Sequence, residues 1–204
     1  MERESFILTI FFLTLGPFKI ISGFAKLTQS FDLKFKREIA IKGISIASAI
    51  CLFVALLGQG MLSNYRISPE GLRIAAGLVL LISALDSVFP KVQPSTPTKS
   101  QPTALQLALS PVATPMIVPP VGIAAILIFT ILVPKYPGLE FAIAKGLLMM
   151  LALDFLVMFF IDAIVKIAGL MLVLQILGSV LGFFQVALAI ETFLTAFRSL
   201  GVFK

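Results

Sequence analysis

The sequence predicts an all-α membrane protein with six transmembrane helices, arranged as two inverted three-helix repeats whose first and fourth helices are broken. Three observations predict it. The chain holds six apolar runs long enough to cross a bilayer. Short residue matches recur between its two halves at a nearly fixed offset. Proline interrupts the first and fourth runs at matching places.

Composition sets the class. Of the 204 residues 59% are hydrophobic and only 13% are charged, and the mean hydropathy is +1.08. Soluble domains carry roughly 25% charged residues, so there are too few charges here to cover a water-facing surface. The length suits one compact domain and leaves no room for a separate soluble enzyme module. The net charge of +6 comes from basic residues scattered between apolar runs, where loops and helix ends belong. Membrane lipid headgroups are therefore the expected anionic neighbours, and nucleic acid is not. Cys51 is the single cysteine and histidine is absent, so neither a disulfide framework nor a metal site is expected, and no cofactor is implied.

A spanning helix needs about 20 apolar residues to cross a hydrocarbon core about 30 Å thick. The six runs are about 6–27, 39–62, 71–89, 104–133, 141–161 and 167–197. The first begins after Met1–Glu4, which holds two acids and one arginine, and it lacks an A-x-A cleavage site. It reads as an uncleaved helix and not a signal peptide. The sixth contains Gly178 and Gly182 and is long enough to tilt or to begin with an interfacial turn. Charges and helix breakers fill the gaps at 29–38, 63–70 and 134–140. The segment 90–102, P-K-V-Q-P-S-T-P-T-K-S-Q-P, reads as an extended linker. The domain division is thus 1–89, a linker at 90–103, and 104–204. Lys26, Lys34, Lys36, Arg37 and Lys42 crowd the first loop. By the positive-inside rule that loop is cytoplasmic and both termini face outward across the inner (plasma) membrane.

The halves match in three places. Gly16-Pro17 corresponds to Pro119-Pro120 at an offset of 103, and Ile41-Lys42-Gly43 to Ala144-Lys145-Gly146 at the same offset. Gly77, Ala84 and Asp86 correspond to Gly182, Ala189 and Glu191 at an offset of 105. Three spans per unit is an odd number, so the second unit must enter from the opposite side. That layout recurs among secondary transporters.

The breaks carry the functional reading. Ser110–Gly122, S-P-V-A-T-P-M-I-V-P-P-V-G, has four prolines within ten residues. Proline removes amide donors and cannot continue a regular helix. Unwound backbone inside hydrocarbon must face protein or a wet cavity, so the segment implies a re-entrant hairpin or two half-helices meeting at depth. L-G-P-F-K, Leu15–Lys19, is a milder break at the corresponding place. Half-helix ends supply free amides for a carboxylate and free carbonyls for a cation. The candidate substrate-binding residues are Gly16, Pro17, Lys19, Thr114, Pro115, Pro119, Pro120 and Gly122.

The stretch R-I-S-P-E-G-L-R-I-A-A-G-L-V-L-L-I-S-A-L, Arg66–Leu85, resembles the third helix of the MarC family of membrane proteins, which includes neutral amino acid transporters. Pro111–Ala125 resembles the family's fourth-helix motif, P-x-A-x-P-x-x-x-G-P-G. The resemblance covers nearly the whole chain and implies a carrier of small neutral amino acids. Two departures fall where substrate contacts are expected. The family's D-P-x-G-N-x-x-P is represented here by Gly16, Pro17, Phe18, Lys19 and Ile20, and its G-P-G by Pro119, Pro120 and Val121.

A charge at mid-bilayer costs about 3 kcal/mol on insertion scales and is a functional candidate by default. Asp154, between Leu153 and Phe155 in the fifth run, is the candidate for ion or proton coupling, and a Lys19–Asp154 pair is conceivable. Asp86 and Glu191 lie near the ends of their runs, where interfacial water is expected. Asp162 and Lys166, four apart, suggest a pair on one helix face. Gln59, Gln175 and Gln185 can bond across helices. Gly43, Gly77, Gly146 and Gly182 suit close helix packing. Asp154 and Asp162 stand about 12 Å apart along a helix, too far for a shared-proton dyad, so no enzyme is predicted. The expected function is a secondary transporter or exporter of a small-molecule solute by alternating access. The alternative is a non-transporting membrane assembly or stress-associated protein. No motif specifies an oligomeric state.

Overall fold

A computed structural model describes residues 2–88 and 102–202. Most of the proline-rich linker lies outside the described residues. Every regular element among the described residues is helical. The first run forms α1 (Glu2–Leu15) and α2 (Pro17–Thr28), followed by α3 (Leu33–Asn64) and α4 (Pro69–Val88). The fourth run forms α5 (Ala104–Leu107), an irregular stretch Ala108–Ile117, and α6 (Pro120–Thr130). Then come α7 (Leu139–Phe159), α8 (Ile161–Val165) and α9 (Leu170–Ser199).

Four helical stretches are long and apolar enough to cross a membrane: Glu4–Thr28, α3, α7 and α9. Ala104–Ile117 and Pro120–Lys135, bent by 59° at their break, make a fifth if the pair is counted as one span and not as a re-entrant loop. The remaining run, α4, has 20 residues, about 30 Å of helix, and carries Glu70, Arg73 and Asp86. Outward-facing side chains are apolar. Leu52, Leu56, Leu148, Leu172 and Phe183 are all more than half exposed, a surface suited to lipid and not to water.

Two boundaries differ from the sequence reading. The second helix starts at Leu33, inside the charged gap, with Asp32 as its N-cap. Lys, Arg and Glu are good helix formers, so the helix continues past the apolar slab. The sixth run holds as one helix through Gly178 and Gly182. Its turn comes earlier, at Gly169, whose φ of 78° favours glycine.

The broken first span lies at the centre. Ile7, Phe11, Ile20 and Phe24 are almost wholly buried, and α7 packs against both α1 and α2. Glycines set the closest approaches. A Cβ at Gly43 on α3 would collide with Val112 of the irregular stretch, and one at Gly146 on α7 would meet Phe11 of α1 at 2.9 Å. Each sequence-matched glycine therefore seats the half-helix that precedes the break in the other half of the chain. The helix pair with the most extensive contact is α4 and α9. Arg73 Nη1 donates to Ser199 Oγ at 3.5 Å, and Gly77 lies against Ala189 and Phe193, so the two helices run antiparallel.

Gly146→Val should destabilise by about 1–3 kcal/mol through overpacking against Phe11. Gly178→Ala, where an added Cβ meets nothing within 4 Å, should leave stability unchanged or slightly higher. Thermal unfolding of the two variants in detergent checks this.

Candidate functional site

The chain breaks where the prolines require it. At Gly16 the backbone is extended, φ −70° and ψ 157°, and Pro17 opens α2. At Pro119 it is extended again, φ −70° and ψ 158°, and Pro120 opens α6. The two matched positions thus have the same local conformation, with proline in the first helical position, where its missing N–H is tolerated. Upstream, Ser110 and Thr114 are extended within the irregular stretch, because a residue preceding proline is driven out of the helical region. Each of these joints removes donors from the helical ladder.

One removal has a visible repair. The Leu13 carbonyl cannot take its usual donor, the amide four residues on, because that residue is Pro17. The side chain of Gln185, fully buried on α9, supplies the bond instead. Its Nε2 donates to the Leu13 carbonyl at 2.5 Å, and its Oε1 accepts from Lys19 Nζ at 3.0 Å. A carbonyl only accepts and an ammonium only donates, so these two partners fix the orientation of the amide. Lys19 therefore pairs with Gln185 and not with Asp154. Of the three glutamines within apolar runs singled out above, Gln185 makes the bond between helices, while Gln59 and Gln175 are exposed.

A cavity of about 490 Å³ lies beside this joint, lined by Lys19, Pro115, Met116, Pro119, Pro120 and Val121 together with Val79, Ile82, Ser83 and Asp86 of α4. It collects four of the sequence-predicted site residues, Lys19, Pro115, Pro119 and Pro120, from both breaks. Gly16, Pro17, Thr114 and Gly122 do not line it. Gly16 and Pro17 shape the joint. The Thr114 hydroxyl donates to the Leu109 carbonyl at 3.5 Å. Gly122 is pressed against Leu15, where a Cβ would overlap the leucine side chain. Asp86 is exposed two residues before the end of α4, in keeping with the sequence reading, and also lines the cavity. The cavity wall thus carries both an ammonium, Lys19, and a carboxylate, Asp86 of α4, while the first turn of α6 is largely satisfied, since Pro120 has no N–H and the Gly122 and Ile123 amides donate to the Pro119 carbonyl.

Asp154 is fully buried, and neither of its carboxylate oxygens has a hydrogen-bond partner among the described residues. It faces the core from α7 and does not line the Lys19 cavity. Asp162 pairs with Lys36 of α3 at 2.6 Å, not with Lys166. Glu191 pairs with Arg198 at 3.2 Å on the exposed surface.

Comparison with known families matches residues 4–200 to the MarC family of integral membrane proteins. The chain belongs to the MarC family. A UPF0056 membrane protein of Methanocaldococcus jannaschii is 28% identical to this MarC chain over 203 residues, 97% of this chain and 98% of the relative. Another, from Buchnera aphidicola subsp. Schizaphis graminum, is 23% identical over 118 residues, covering 58% of this chain and 59% of the relative. No solved structure matches this MarC chain.

Gln185→Leu should cost about 1–3 kcal/mol, the penalty for leaving a buried carbonyl unsatisfied. Gln185→Glu should not restore the loss, since a carboxylate cannot donate to Leu13. Thermal unfolding of both variants in detergent checks the expectation.

Proposed function

We propose that this chain is a secondary transporter or exporter of a small zwitterionic solute of the neutral amino acid class, binding it in the cavity between the two breaks. One observation carries the reading. The cavity joins residues from both proline breaks and presents an ammonium, Lys19, and a carboxylate, Asp86, on its walls. A solute bearing one carboxylate and one ammonium suits that pair of charges, its carboxylate toward Lys19 and its ammonium toward Asp86. A volume of about 490 Å³ falls within the range of roughly 300–1,000 Å³ usual for small-molecule sites.

The proposed architecture is six spans in two inverted three-helix units, with α4 as the third span. The matched backbone at Gly16 and Pro119, the crosswise seating at Gly43 and Gly146, and the antiparallel α4–α9 pair all support it. We place the chain in the plasma membrane with the basic first loop inside and both termini outside. In this reading the protein is a carrier and not an enzyme, and its driving force is an ion or proton gradient. Asp154 is the proposed proton-binding group, because a buried carboxyl with no partner is costly and contributes nothing evident to packing.

Uptake and exchange of radiolabelled solutes by proteoliposomes test the proposal. Small neutral amino acids should accumulate or exchange, and Lys19→Met and Asp86→Asn should each weaken apparent affinity by about tenfold or more, as expected for loss of a charge-assisted contact worth 1.5–3 kcal/mol. Absence of transport across a broad panel in both directions, with stoichiometric co-purification of a partner, would instead favour a membrane assembly role. Asp154→Asn should abolish accumulation driven by a pH gradient while leaving solute exchange intact. Equal loss of both activities would count against a coupling role.

A further inference from the structure

The carrier reading leaves a second cavity unused. It measures about 200 Å³, and its walls include Thr14, Arg73, Leu80, Ala125, Glu191 and Thr192. The two cavities sort by position along each element they share. On the first span Thr14 lines the small cavity, and Lys19, beyond the Gly16 break, lines the large one. On α4 the small cavity takes Arg73 and Leu80, and the large one takes Val79, Ser83 and Asp86. On the fourth run the order reverses, with Pro115 to Val121 on the large cavity and Ala125 on the small one. The first and third runs therefore travel from the small cavity to the large one and the fourth travels back, as alternate spans must. The cavities occupy opposite ends of the same helices.

What divides them is apolar and thin. Leu15 sits against Gly122, and Leu80, Val121 and Ala189 form a buried cluster of their own. Val121 borders the large cavity and Ala125 the small one, a separation of about 6 Å along α6. The matched carboxylates fall on either side, Asp86 on the large cavity and Glu191 on the small one.

We propose that the layer of Leu15 on Gly122 and of Leu80, Val121 and Ala189 is the gate of this carrier, and that the small cavity is the vestibule to the opposite face of the membrane. The proposal rests on the carrier reading, but its geometry can be tested without any transported solute. A solute crosses by leaving the Lys19 cavity when these side chains part, and the apolar layer excludes water and ions while closed.

The test uses the full-length protein with Cys51→Ser as background, in membrane vesicles of both orientations, and a membrane-impermeant maleimide. Ser83→Cys and Thr192→Cys should each react from one face only, and from opposite faces. Ala189→Cys, in the layer and on the wall of neither cavity, should react from neither, and adding Leu80→Ser, or Leu80→Ala where the serine variant does not fold, should make it reactive. Labelling of the first two from the same face, or of neither, overturns the gate, as does free labelling of Ala189→Cys with Leu80 intact. Opposite-face labelling without transport would sustain the two vestibules and sink the carrier reading. Transport with same-face labelling would do the reverse.

Discussion

The amide of Gln185 replaces the donor that Pro17 takes from the Leu13 carbonyl, and the architecture around the candidate site turns on that replacement. Backbone cannot be left unpaired in an apolar medium. A proline break near the middle of a span therefore leaves a carbonyl to be satisfied, and in the first span another helix brings the donor. By supplying one, α9 is fixed against the first span, and its remaining carbonyl oxygen holds Lys19 at the wall of the large cavity. Position, charge and break are set by one side chain.

The second break is sealed differently. The position on α4 that corresponds to Gln185, at the offset of 105 shared by Asp86 and Glu191, is Leu80. Leu80 offers no hydrogen bond and packs with Val121 and Ala189. The two breaks thus share a backbone conformation but not their surroundings. In one half the joint is polar and borders the cavity; in the other it is apolar and closes the layer between two cavities. Small residues make both possible. Gly43, Gly122 and Gly146 each admit a side chain from the opposite half of the chain into space that a Cβ would occupy, and such close approaches are the usual means by which helices associate in membranes, where water does not drive them together.

Much of this was legible in the sequence, for reasons that differ by element. The apolar runs were visible because a bilayer imposes length and composition directly, and the breaks because proline acts locally. The offset of 103 located Gly16 and Pro119, which adopt the same backbone conformation. What stayed hidden was azimuth. Sequence gives the depth of Lys19 and Asp154 in their runs but not the face on which they emerge. Asp154 turns into the core between α7 and α3, while Lys19 turns toward α9. For the same reason Gln185 could not be told from Gln59 and Gln175. Ion pairs between distant helices were equally out of reach, so the partner of Asp162 was sought within its own helix when it stands on α3, as Lys36.

A density map of the protein in a lipid nanodisc, at a resolution that shows side chains, is the most direct measurement of the central claim. The account predicts a first span interrupted at Gly16, the Gln185 side chain bridging the Leu13 carbonyl and Lys19, and Leu15 resting on Gly122 between two separate cavities. An unbroken first helix with Gln185 turned away from it, or a single continuous packing layer with no cavity beside Lys19, would contradict it.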